Sequence, residues 1–108
     1  MVSAYVMSED RIKNKECFRK LESIKRVDVW ITAAGRLGFR VVNGGKHPYT
    51  IRDPKNLNND DIRSLVTTIP SGIHSGINKI IAKQILFSPV TEHLGITEEQ
   101  FWEALGFK

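Results

Sequence analysis

The chain from 9 to about 23 predicts a first helix. Ile12, Cys17 or Phe18, Leu21 and Ile24 recur there at helical spacing, with charged positions between them. Asp28 suits the cap of a second helix carrying Val29, Trp30, Ala33, Ala34 and Leu37, and Gly38 suits its stop. Whether the two are one helix or separate is left open by the pattern. The period then drops to two. Phe39-Arg40-Val41-Val42 reads as a short strand, Asn43-Gly44-Gly45-Lys46 as a turn, and His47-Pro48-Tyr49-Thr50-Ile51-Arg52 as a second strand, which together make a hairpin. Pro48 lacks an N–H and tolerates only a strand's start or an unpaired edge; it also biases His47 toward extended backbone. A polar loop over 53–63 leads to a third strand, Ser64-Leu65-Val66-Thr67-Thr68-Ile69, ended by Pro70.

Helical spacing returns near Gly76. Ile77, Ile80, Ile81 and Ile85 form an apolar stripe, and Lys79 and Lys83 lie one turn apart on the surface. Thr97-Glu98-Glu99-Gln100 is a capping box opening a last helix whose buried side is Phe101, Trp102 and Leu105. The expected class is α+β: a three-stranded antiparallel sheet with helices on one face, since so small a sheet must bury one side.

Composition narrows the partners. A chain of 108 residues fits one domain, and 41% apolar residues supply one core. The longest apolar run, Ile80 to Phe87, is interrupted by Lys83 and Gln84 and falls short of the roughly 20 residues of a membrane span. The first seven residues lack a signal-peptide pattern, so a cytoplasmic protein is expected. Cys17 is the single cysteine, which rules out an internal disulfide and a cysteine-based zinc site. Net charge is +4, unevenly spread: Arg11, Lys13, Lys15, Arg19, Lys20, Lys25 and Arg26 face only Glu16 and Glu22, whereas 91–105 holds acids alone. A basic balance suits nucleic acid, whose phosphates release counterions on contact with Lys and Arg, but it equally suits a solvated face.

An ordered set of motifs carries a resemblance. Gly38-Phe39, Gly45-Lys46-His47, Thr68-Ile69-Pro70, the Ile/Lys helix and Leu94-Gly95-Ile96-Thr97-Glu98-Glu99-Gln100-Phe101-Trp102 resemble the HicA family of toxins from type II toxin–antitoxin modules. The likeness covers about 27–105; residues 1–25 read as a basic, helical N-terminal extension before a HicA-like RNA-acting domain over 26–108. The resemblance implies a fold like the double-stranded-RNA-binding domain, with an αβββα core plus extra terminal helices. It also implies metal-independent, cofactor-free cleavage of mRNA by one histidine, and neutralisation by a HicB-type antitoxin. The histidine maps onto His47 and the glycine before it onto Gly45; Lys46 stands where the family often has serine. The family's second histidine follows the strand-ending proline closely, whereas His74 is farther away, and no role is carried to it.

The chemistry is coherent with those residue types. RNA supplies its own nucleophile, the 2′-hydroxyl, so a ribonuclease needs proton transfer and stabilisation of phosphorane charge. Histidine, with a pKa of about 6.5, suits the first, and a cation such as Lys46 or Lys79 suits the second. Gly44 and Gly45 permit close approach of a ligand, or simply make a hairpin turn. Lys79 and Lys83 read as phosphate contacts beside a helix N-terminus or as a solvated face; His74 and Ser75 stand at that terminus, where Ser75 suits a plain cap. Arg40 and Arg52 read as lining the open sheet face. Trp30, Phe101 and Trp102 fit core packing better than base stacking. Two other functions fit the same residues: a non-catalytic RNA-binding module, and a protein-interaction domain whose basic first helix meets an acidic partner.

Overall fold

The computed structural model describes residues 11–44 and 47–108. Within them lie α1 (Lys15–Lys20), α2 (Val27–Arg36), β1 (Arg40–Gly44), β2 (His47–Arg52), β3 (Leu65–Ile69), α3 (Ser75–Leu86), α4 (Pro89–His93) and α5 (Glu98–Ala104). Short 3₁₀ turns occupy Leu21–Ser23 and Ile62–Ser64. The sheet runs β1-β2-β3, antiparallel throughout. The α+β class with a three-stranded antiparallel sheet is thus the observed architecture.

Local chemistry accounts for most boundaries. The Asn14 side chain accepts the Cys17 N–H at 2.9 Å and starts α1. That helix lasts six residues and tightens into the 3₁₀ turn, so the expected single helix over 9–23 is two short pieces. Arg26, not Asp28, is the N-cap residue of α2; Asp28 sits in the first turn, where its carboxylate takes a bidentate pair from the Arg26 guanidinium. Gly38 ends α2 with φ +89°, letting Phe39 N–H reach back to Ala34 O at 3.0 Å. Gly106 closes α5 in the same way. The Thr97 capping box forms as expected, with Gln100 N–H on the threonine hydroxyl and the Gln100 side chain on Thr97 N–H. Helix α4 has no counterpart in the sequence reading; Ser88 caps it and Pro89 fills its first position, where a missing N–H costs nothing.

One core joins every layer. Ile51 and Ile69 on the covered sheet face pack with Trp30 of α2, Ile81 and Ile85 of α3, and Phe101 and Trp102 of α5. The rings of Phe101 and Trp102 meet edge to face with centroids 4.9 Å apart. Trp30, Phe101 and Trp102 are therefore core residues and offer no stacking platform. Ile12, Cys17, Phe18, Leu21 and Ile24 belong to the same core. The described part of the N-terminal stretch is thus integral to the packing.

Two polar devices hold that stretch in place. Asn78 of α3 is fully buried. Its Oδ1 accepts the Trp30 indole N–H at 2.9 Å, and its amide donates to the carbonyls of Leu21 at 2.9 Å and Ile24 at 3.0 Å. Glu98, at the start of α5, accepts the N–H groups of Lys13 at 2.9 Å and Asn14 at 2.8 Å and the Trp102 indole N–H at 2.9 Å.

Candidate functional site

The hairpin dictates where the candidate chemistry stands. Pairs run Arg40↔Arg52, Val41↔Ile51, Val42↔Thr50 and Gly44↔His47. Between the last two pairs β1 supplies Asn43 and β2 supplies both Pro48 and Tyr49, so the ladder is irregular there. That is where a residue without an N–H is tolerated. His47 is the first residue of β2, on the rung nearest the turn. Gly45 and Lys46, and the side chains of His47 and Pro48, lie outside the described residues; Gly44 is the last residue of β1.

Three features share this end of the sheet. Tyr49 pairs with Ile69, the last residue of β3, so the hairpin turn and the exit of β3 are neighbours. Residues 70–74 then lead straight into α3. His74, rather than Ser75, is the N-cap: its Nδ1 accepts the Ile77 N–H at 3.4 Å, and the residue is exposed. Gly76 makes room for this, since a Cβ there would stand 3.2 Å from the ring. The Asn78 amide holds the Leu21–Ile24 turn against the first turns of α3. Exposed Arg19, Lys20 and Lys25 flank that turn in the chain. Sequence reasoning gave this basic stretch no location, because the side chain that fixes it is more than 50 residues away.

The other candidate cations have definite surroundings. Lys79 is half-buried, with its Nζ 5.7 Å from the centre of the Phe18 ring. Lys83 lies in the last turn of α3 and is also half-buried. Arg40 and Arg52 stand opposite each other on the sheet face away from the core. Arg40 donates to the Asn56 carbonyl and to Asn59 Oδ1, both at 2.7 Å. Arg52 donates to Ser64 Oγ at 2.7 Å and Thr50 Oγ1 at 3.1 Å. Their guanidinium groups thus hold the 53–64 loop across one end of the face. The loop has its own anchor: hydrogen bonding from the Arg63 guanidinium, then from the Arg63 N–H, holds the Asp61 carboxyl far below its usual range.

Among the described residues no three His, Cys, Asp or Glu side chains converge in a way that could hold a metal ion. Nor is any described helix long and apolar enough to cross a membrane. Compared with known proteins, the chain matches no family model, no curated protein and no solved structure.

The hairpin end therefore joins one histidine position, a capping histidine, the N-terminus of a 12-residue helix and a nearby basic stretch. A helix N-terminus favours anions, and exposed lysine and arginine attract phosphates. Glu98 and Glu99 open a different helix, where Glu98 accepts the Lys13 and Asn14 N–H groups.

Proposed function

We propose that this chain acts on RNA as an endoribonuclease of the HicA toxin type, working in the cytoplasm and restrained by a HicB-type antitoxin. The reading rests on one observation: His47 opens β2 at the same end of the sheet where α3 begins and near which the Leu21–Ile24 turn, flanked in the chain by exposed Arg19, Lys20 and Lys25, is held. The helix-strand-strand-strand-helix order of α2 to α3 also agrees with the double-stranded-RNA-binding type of fold that the resemblance implies. In this reading glycine at 44 and 45 permits close approach of a phosphate, as this residue type does, and Lys46 neutralises it. Lys79 contributes positive field from α3; Lys83 lies in the last turn of that helix, and Arg40 and Arg52 form the rung farthest from the turn and are bonded to the 53–64 loop, so they are not part of this end.

In the proposed reaction the 2′-oxygen of one nucleotide attacks the adjacent phosphorus, and its proton passes to the His47 imidazole. The new O–P bond forms as the bond to the 5′-oxygen breaks, and a proton returns to that leaving oxygen. Proton transfer by one positioned group supplies about 10²–10⁴-fold, a modest rate that suffices for a toxin.

The experiment is cleavage of labelled mRNA by purified protein in the presence of a chelator. Parent protein is expected to cut, His47→Ala to bind but not cut, and Lys46→Ala to cut more slowly. Undiminished cleavage by His47→Ala removes the assignment. Salt-dependent binding without cleavage by the parent protein supports the RNA-binding module instead, and no binding at any salt concentration supports the protein-interaction reading.

A further inference from the structure

We propose that the outer edge of β3 is the surface through which two copies of this chain associate. Strand β3 pairs with β2 on one side only, so the backbone groups of its other edge have no strand partner. Soluble proteins usually guard such an edge with charge or proline, because an unguarded edge invites another strand. Leu65–Ile69 contains leucine, valine, two threonines and isoleucine, and the guarding proline comes only after the strand has ended. The bulge at Val66 bends one end of the strand and leaves Thr67 to Ile69 as the regular stretch.

A groove of about 560 Å³ runs between this edge and α3, lined chiefly by Leu65, Val66, Ile77 and Ile80, with Ile62 and Pro89 at its rims. Ile62 is 77% exposed and Ile80 50% exposed; with Leu57 they are the exposed large hydrophobics among the described residues. Two of those three therefore lie on one groove beside one open edge. In sequence Ile80 looks like part of the core stripe of α3, yet the buried stripe is Asn78, Ile81, Ala82 and Ile85.

Charge selects a second copy as the occupant. The chain carries a net charge of +4, so two copies repel wherever their basic surfaces meet. No ionisable side chain lines this groove. It is a neutral surface within a basic molecule, so it opposes a second copy less than the surfaces carrying exposed lysine and arginine do. An antiparallel pair of β3 strands centred near Thr67 and Thr68 is also self-complementary, as a two-fold contact requires. It sets threonine and aliphatic side chains opposite one another, which are favourable cross-strand pairs. Thr67 Oγ1 is already bonded to Gln84 at 2.5 Å, so the joint would be made by main-chain groups. The product is one six-stranded sheet, β1-β2-β3-β3-β2-β1, with the two hairpin ends at opposite ends and uncovered. The inference is independent of the RNA reading.

The test is sedimentation velocity of the full chain over a series of concentrations, with hydrogen exchange across 65–69. The parent protein is expected to shift from monomer to dimer as concentration rises, with growing protection of the β3 amides. Substituting Ile62→Lys and Ile80→Lys together, both at exposed positions, is expected to weaken dimerisation at least about tenfold while the circular dichroism spectrum is kept. A parent protein monomeric at every concentration overturns the proposal and leaves the groove to a different occupant. Dimerisation unaffected by the two lysines, with no concentration-dependent protection of β3, overturns it as well.

Discussion

Asn78 is the side chain whose loss is expected to cost this fold most for its size. It is fully buried and satisfies three groups drawn from two segments: the Trp30 indole N–H of α2 and the carbonyls of Leu21 and Ile24 in the turn before it. Asn78→Leu keeps the volume roughly constant and removes all three partners. The Leu21 carbonyl retains the Ile24 N–H at 3.2 Å, so two groups are orphaned, the indole N–H and the Ile24 carbonyl. Each buried orphan costs about 1–3 kcal/mol, which sets the expected loss at about 3 kcal/mol. That is a large share of the roughly 5–15 kcal/mol that holds a domain together. It corresponds to a fall of ~12–18 °C in melting temperature for a chain this size. Urea unfolding measures it as a lower midpoint at unchanged slope. Asn78→Asp keeps an acceptor for Trp30 but sets a carboxylate against two carbonyl oxygens. It is expected to be the worse variant at neutral pH and to recover on acidification as the carboxyl protonates. In a double-mutant cycle with Trp30→Phe the losses are expected to be less than additive, because the two residues share one hydrogen bond. If Asn78→Leu unfolds within about 0.5 kcal/mol of the parent, the range of an ordinary surface substitution, the reasoning fails.

Three further outcomes follow from the same packing. A chain starting at Val27 is expected to be unfolded or aggregated, because it lacks the buried Ile12, Cys17, Phe18, Leu21 and Ile24; a cooperative thermal transition in the truncated chain would refute this. Burial pushes the Glu98 carboxyl up, but the Lys13 N–H, the Trp102 indole and the Asn14 N–H together outweigh it and hold the group below its ordinary 4.5. Its contribution is thus complete above about pH 4.5 and is lost as pH falls through the depressed native value. A Glu98→Gln protein is expected to be less stable at pH 7 and to lose less stability between pH 5 and 3 than the parent, measured by thermal melts; parallel pH profiles count against the clamp. Thr97→Ala removes the cap that accepts Gln100 N–H and is expected to cost about 1 kcal/mol, read by urea unfolding; an unchanged midpoint contradicts that role.

What the sequence determined by itself is whatever is encoded within a few residues. The Thr97 capping box, the stop at Gly38, the strand alternation around Val41 and Ile51 and the break at Pro70 are short-range. Backbone geometry makes those patterns readable, and they appear in the fold. The candidate site was legible only as positions: His47 on the hairpin, Lys79 and Lys83 on a helix, Arg40 and Arg52 on paired strands. Tertiary structure decided their surroundings. It bound Arg40 and Arg52 to the 53–64 loop and set Lys79 over Phe18. It also made His74 the cap of α3, although a sequence favours Ser75 for that task. Asn78 looks in sequence like an ordinary polar helix residue, and Ile80 like a core one; burial reverses both. The reason is physical. Capping and periodicity act through bonds three or four residues apart, whereas the partners of Asn78 lie 48 to 57 residues away. Only the folded chain brings such groups within hydrogen-bonding distance.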